Sequence, residues 1–188
     1  MIYNKHDVHS IEMTSSLLKQ GKILILPTDT VYGFSGIVGE TDEKIRTIKG
    51  RSETKPFIQL IAKPSDVLKI TDDFIPDSLL SKWPGALTII VNDKTDKSIV
   101  GKTVALRCPG DEWLRAVIEM TESPIYSTSV NRSGSPVLSK IEEIKAEFER
   151  EVDAIVAGGD STVSIPSTIV RIDGGEIVVV RKGAIVLE

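Results

Sequence analysis

Four stretches of this chain place hydroxyls, amides and cations where a strand gives way to a loop. The first, Pro27-Thr28-Asp29-Thr30-Val31-Tyr32-Gly33, follows the apolar run Ile23-Leu24-Ile25-Leu26. Two threonines, an aspartate and a glycine make either a shaped polar binding turn or an ordinary strand-to-loop turn. The second is Lys49-Gly50-Arg51 with Lys55-Pro56 close behind. Lys49 alone could complement the negative end of a helix. Three cations around a glycine also suit a triphosphate, arginine giving forked contacts and lysine a point charge. In the third, Thr103-Val104-Ala105-Leu106-Arg107-Cys108-Pro109, Arg107 interrupts an apolar strand end. A partly buried guanidinium needs an anionic partner, either a carboxylate of the protein or that of a substrate. The fourth, Ser127-Thr128-Ser129-Val130-Asn131-Arg132-Ser133-Gly134, can read a small polar ligand or a phosphate, or form a serine-rich turn.

Together these groups supply cations and hydroxyls without a histidine base. That suits phosphate handling by charge and positioning rather than proton transfer on imidazole. Other motifs fail on inspection. Gly101-Lys102-Thr103 has the letters that end a P-loop, but the position of the first glycine is Asp96 and a strand follows. Ser16-Leu17-Leu18-Lys19 lacks its companion motifs and reads as a solvated helix face. His6, Asp7 and His9 lie in a terminus expected to be mobile, with no third segment to complete a metal site. No other histidine exists, which argues against a Ser–His or Cys–His nucleophile. Cys108 reads as a small buried hydrophobe. Asn131-Arg132-Ser133 matches a glycosylation sequon in letters only.

The elements that must position these groups alternate along the chain. Ser10 is expected to cap a first helix ended by Gly21. Thr41 with Asp42 and Glu43 opens a second. Helical stretches are also expected over Ser65–Ile70, Asp77–Trp83, Asp111–Met120 and Lys140–Phe148. Strands are expected over Ile23–Leu26, Phe57–Ala62, Leu87–Val91, Thr103–Arg107, Ile125–Val130, Val152–Val156, Thr168–Ile172 and Ile177–Val180, with Asp173-Gly174-Gly175 as a hairpin turn. Thr28–Gly36 and Asn92–Lys102 read as loops. A mixed α/β (α+β) fold follows, with a sheet of about seven strands that the terminal hairpin prevents from being purely parallel.

The chain has 188 residues, 40% hydrophobic and 27% charged, which fits a single folded domain over 1–188. Its 23 basic and 27 acidic residues give a net charge of −4, unlike a protein that wraps nucleic acid through charge alone. One cysteine excludes an internal disulfide. No signal core or membrane-length apolar run is present, so a cytoplasmic protein is expected.

The ordered set of motifs resembles the YrdC/TsaC family of threonylcarbamoyl-AMP synthases. It comprises Pro27–Gly33, Lys49-Gly50-Arg51, Pro84-Gly85-Ala86-Leu87-Thr88, Val104–Pro109, Ser129–Gly134, Pro166-Ser167-Thr168-Ile169-Val170 and Arg181-Lys182-Gly183-Ala184-Ile185. The resemblance spans nearly the whole chain and matches the short form. It implies a twisted sheet with a large concave, positively charged face. It also implies that L-threonine, bicarbonate and ATP, with Mg2+, give L-threonylcarbamoyladenylate and pyrophosphate for t6A modification of tRNA adenosine 37, other proteins making the transfer.

By position, Thr30, Arg107, Ser129 and Ser167 would contact threonine. Lys49, Arg51, Lys55, Thr103, Asn131, Ser139 and Arg181 would contact ATP, with Lys49 and Arg51 neutralising charge on the phosphates. The sequence departs from the family pattern at Leu60, where a histidine is common, and at Lys55, Pro166 and Lys182. Two alternatives stand beside this reading: a double-stranded-RNA-binding module of the same fold, and related carbamoyl-adenylate chemistry.

Overall fold

The computed structural model describes residues 1–50, 56–95, 101–161, 165–173 and 175–187. Arg51 and Lys55, both expected at the phosphates, lie outside the described residues. The strands are β1 (Ile2–Asn4), β2 (Leu24–Leu26), β3 (Gly33–Ser35), β4 (Ile58–Leu60), β5 (Leu87–Asn92), β6 (Thr103–Arg107), β7 (Ile125–Ser129), β8 (Ala154–Ala157), β9 (Thr168–Asp173) and β10 (Glu176–Arg181). The α-helices are α1 (Ser10–Lys19), α2 (Asp42–Lys49), α3 (Val67–Ile70), α4 (Asp77–Leu80), α5 (Glu112–Thr121) and α6 (Ile141–Phe148). All ten strands join one mixed sheet in the order β1-β8-β2-β3-β7-β4-β6-β5-β9-β10.

Ten strands replace the expected seven or so, and β1 and β3 are elements that the sequence pattern did not show. The N-terminus is not a mobile tail. β1 pairs in parallel with β8, and the Met1 amine donates to the Asp153 carbonyl at 3.1 Å. β3 was hidden because its glycine reads as a loop signal, yet Gly33 is there for closeness. A Cβ at that position would stand 2.6 Å from the Ser127 hydroxyl oxygen. Ser10 does not cap α1. His9 holds the cap position with a φ of 66°, while the Ser10 hydroxyl donates to the Lys5 carbonyl at 2.7 Å and accepts from the Trp113 indole. The expected β9–β10 hairpin pairing is present, from Asp173 opposite Glu176 onward.

Three apolar layers brace the sheet. Ile45, Ile144 and Phe148 of α2 and α6 pack with Ile25, Phe34 and Ile155 on one face. Leu18 of α1 and Leu114, Val117 and Ile118 of α5 pack with Leu24, Leu26 and Ile125 on the other. Val67, Ile70 and Leu79 of α3 and α4 cover Leu87, Ile89, Leu106 and Val170 in the second half of the sheet. α5 starts as expected from composition: the Asp111 carboxylate accepts the Leu114 N–H at 3.0 Å.

β2 and β6 are separated in the sheet by β3, β7 and β4, and the pairings make them antiparallel. In a flat sheet their C-terminal ends would lie far apart. Here they meet, since Arg107 at the end of β6 reaches Thr30 just beyond β2. The accumulated strand twist has therefore curled the sheet into a trough.

Candidate functional site

The registers Ser127↔Ile58, Ile58↔Ala105 and Ala105↔Ile90 set those four residues in one row on a single sheet face. Two residues along the strands, Arg107 and Thr88 share that face at one end, and Ser129 and Thr103 share it at the other. Ser127, Ser129, Ile58 and Ile90 are half-buried. The face thus has an apolar floor between two polar ends.

Arg107 is 4% exposed and tied on three sides. Its Nε donates to the Gly85 carbonyl at 3.1 Å and one Nη to the Thr30 hydroxyl at 2.9 Å; the other Nη is paired with Asp29. Asp29 also accepts the Gly110 N–H at 2.9 Å. The guanidinium partner left open by the sequence is thus a carboxylate of the protein. One hydrogen on each Nη is still uncommitted, because each carries two. Sequence reasoning did not single out Asp29 for this role. The signal was available: a carboxylate beside a threonine in a turn after a buried strand.

A second cation stands beside the first. Arg181 donates to the Ser167 carbonyl at 2.8 and 3.1 Å and to its hydroxyl at 3.1 Å. That hydroxyl shares a 2.7 Å hydrogen bond with Thr88, which is fully buried. Much of Arg181 is open to solvent, yet its head lies against Ser167. Burial and then the Arg107 charge hold its pKa below the usual arginine range. Two neighbouring guanidiniums, of which only Arg107 is paired with a carboxylate, leave a local positive excess, which attracts an anion.

At the other end, Lys49 is 3% exposed at the close of α2. Its ammonium donates to the main-chain carbonyl of Ser129, and to the carbonyl and side-chain oxygen of Asn131 at 3.1 and 3.0 Å. The Ser129 hydroxyl bonds to the same Asn131 oxygen at 2.8 Å. The Asn131 amide nitrogen donates to the Arg132 and Ser135 carbonyls at 3.0 and 2.7 Å. Every hydrogen-bonding position of the Asn131 side chain is therefore filled. Arg132 and Ser133 then bond the last carbonyls of α2, those of Ile48 and Lys49, at 2.6 and 2.8 Å. Two motifs some 80 residues apart are locked into one unit.

Ser139 joins the site through its backbone. Its carbonyl accepts the Ser161 N–H at 2.8 Å, and the Ser161 hydroxyl donates to the Thr30 carbonyl at 3.1 Å. A cavity of about 230 Å³ opens there, lined by Lys5, Thr28, Asp29, Thr30, Asp160 and Ser161 among others. Tyr32 closes its base, donating to the Gly159 carbonyl at 2.6 Å and accepting from the Gly158 N–H at 2.8 Å. Thr103 is not gathered in. It lies at the rim of a larger groove of about 860 Å³, floored by Gln59, Ile61, Val104 and Tyr126 from the opposite face of the same strands. Among the described residues, that groove collects none of the others expected at the site.

The Sua5/YciO/YrdC family, described as "Telomere recombination", matches residues 16–183, and the chain belongs to it. Among individual proteins, it is 30% identical over 188 residues to the threonylcarbamoyl-AMP synthase of Pyrococcus abyssi, covering 95% of this chain and 55% of that one. It is 32% identical to the Bacillus subtilis protein of the same name, covering 95% of this chain and 54% of the other. The chain thus spans about half the length of these two relatives. Pyrococcus abyssi Sua5 complexed with L-threonine superposes with a TM-score of 0.85 at 28% identity, over 97% of this chain and 57% of that one. Escherichia coli YciO, at 24% identity and a TM-score of 0.81 over 97% and 93%, shares the fold.

Proposed function

We propose that this chain condenses L-threonine, bicarbonate and ATP into L-threonylcarbamoyladenylate and pyrophosphate. The observation that carries the reading is the convergence of Thr30, Arg107, Ser167 and Arg181 at one end of the trough, with a net positive balance and open N–H groups. A relative of this fold is named as a complex with L-threonine, which agrees with that chemistry.

In this reading the remaining Nη hydrogens of Arg107 hold the threonine carboxylate, the hydroxyls of Thr30 and Ser167 fix its orientation, and Ser129 approaches it across the curled trough from the other polar end. The nucleotide lies along the trough floor. Arg181 faces its phosphates, with Arg51 and Lys55 as further cations. Ser139 lines the nucleotide at one side, and Thr103, at the rim of the other groove, makes no contact with it. Asn131 serves it by shape, presenting Lys49 and Ser129, since its amide has no open position. For Lys49 to touch a phosphate, it must release one of its present acceptors.

The threonine amine takes up bicarbonate as a carbamate, losing water. A carbamate oxygen then attacks the α-phosphorus, and pyrophosphate leaves with the electron pair of the broken P–O bond. The chain's contribution is alignment and charge neutralisation on the phosphate oxygens. Among the described residues, no group of three or more His, Cys, Asp or Glu side chains is placed to hold a metal ion. In this reading Mg2+ enters with the triphosphate, as part of the substrate. The product would pass to tRNA-modifying proteins that complete t6A.

The test is pyrophosphate release from MgATP by the purified chain, with threonine or bicarbonate omitted in turn. Release that needs both supports the reading. Release indifferent to threonine overturns it. RNA binding that falls steeply with salt, with no ATP turnover, would favour the nucleic-acid module instead.

A further inference from the structure

Thr88 lies in the apolar strand β5, between Leu87 and Ile89, and is fully buried. Valine has the same shape, so the hydroxyl only costs stability there unless it is bonded. Among the described residues its one side-chain partner is the Ser167 hydroxyl, at 2.7 Å. The two share a sheet face: Thr88 pairs with Ile169 of β9, and Ser167 stands two residues before Ile169.

Each hydroxyl carries one hydrogen and two lone pairs. Arg181 already donates to the Ser167 oxygen, at 3.1 Å. The two hydroxyls share a single hydrogen bond, so one of their two hydrogens has no acceptor among the described residues. On Thr88 that hydrogen would be shut inside the sheet, a cost that no ligand could relieve. On Ser167, which is 2% exposed, it lies at the end of the trough with Thr30, Arg107 and Arg181. Thr88 is therefore the donor. Both lone pairs of Ser167 are then taken, one by Thr88 and one by Arg181, and only its hydrogen is left for a ligand.

We propose that Thr88 is a positioning residue that fixes the Ser167 hydroxyl as a donor, so that this end of the trough takes an oxyanion. The proposal rests on the function proposed above, in which that oxyanion is the threonine carboxylate. The Ser167 hydrogen then joins the remaining Nη hydrogens of Arg107, and neither side chain has an acceptor to offer a competing hydrogen-bond donor.

The test is steady-state pyrophosphate release from MgATP and bicarbonate over a range of L-threonine. Wild type, Thr88→Val, Thr88→Ser, Ser167→Ala and the Thr88→Val, Ser167→Ala double variant are compared, with overlaying circular dichroism spectra to confirm that all are folded. Thr88→Val keeps the shape and should raise KM for threonine about five- to tenfold, while KM for ATP moves less than about twofold. Thr88→Ser keeps the hydroxyl and loses a buried methyl. It should lower the melting temperature, yet leave KM for threonine within about twofold of wild type. In the Ser167→Ala background, Thr88→Val should raise KM no further, because its effect passes through Ser167. A KM for threonine unmoved by Thr88→Val, raised as much by Thr88→Ser, or raised equally without Ser167 overturns the proposal and leaves the proposed function standing. Wild type without threonine-dependent release overturns that function and this proposal with it.

Discussion

Arg107 spends hydrogens on a carboxylate, a hydroxyl and a main-chain carbonyl, and keeps one on each Nη. Asp29 is the counter-charge that makes this tolerable beside Arg181. Asp29→Asn keeps size and acceptor but leaves a buried guanidinium uncompensated, and it should lower stability by about 3 kcal/mol in urea unfolding. Asp29→Asn with Arg107→Met should cost less than the sum of the two single changes, as expected for coupled partners. Cys108 gives a pH test. Its thiol is fully buried and desolvation pushes its pKa up to about 11 from 9.0. A raised pKa means the fold favours the protonated thiol. That contribution is complete below pH 9 and is lost as pH rises toward 11, about 2–3 kcal/mol in all. Cys108→Ala should flatten the urea midpoint between pH 8.5 and 10 relative to wild type. Thr30, Ser129 and Asn131 were legible as candidate site residues because hydroxyls and amides cluster at strand ends. Thr88 was not, because a threonine inside an apolar strand reads as a strand former; only the fold shows it bonded to Ser167.

At the scale of elements, the site depends on close approaches that glycine permits. A Cβ on Gly183 would meet the Pro166 carbonyl oxygen at 2.3 Å and the Ser167–Thr168 backbone at 2.5 Å. Backbone cannot yield as a side chain can. Gly183→Ala should therefore cost more than about 2 kcal/mol and displace Ser167 and Arg181 together, read as a lower urea midpoint and weaker nucleotide binding. Gly33→Ala meets only the Ser127 hydroxyl, at 2.6 Å. It should cost about 1 kcal/mol, with the loss recovered by adding Ser127→Ala. Apolar runs made β5 and β6 readable to within a residue or two, and the strand-forming Ile, Tyr, Thr and Val of 125–130 did the same for β7. β1 and β3 escaped because three residues show no period, and their pairing with β8 and β7 is set by tertiary contacts. Arg132 read as part of a serine-rich turn, yet it holds Glu147, Glu151 and the end of α2. Arg132→Ala should loosen the Lys49–Asn131 unit and reduce turnover while the remaining fold persists, a comparison made by steady-state kinetics beside circular dichroism.

For the whole molecule, the strand order matters more than any single motif. Motifs scattered from residue 27 to residue 183 converge because the sheet curls until the ends of β2 and β6 touch. Composition and periodicity did not show that curl, since twist accumulates over pairings they do not encode; it was expected only through the family resemblance, as a twisted sheet with a concave face. The net charge of −4 likewise concealed a local excess of two guanidiniums over one carboxylate. Among the described residues no helix is long and apolar enough to cross a membrane. The central claim is that this trough joins an amino acid, a one-carbon unit and an adenylate. It is tested most directly by incubating the chain with L-threonine, MgATP and 13C-labelled bicarbonate and weighing the adenylate by mass spectrometry. The account predicts a threonine-containing adenylate one mass unit heavier than with ordinary bicarbonate. An adenylate that carries no label, or AMP formed without threonine, would contradict it.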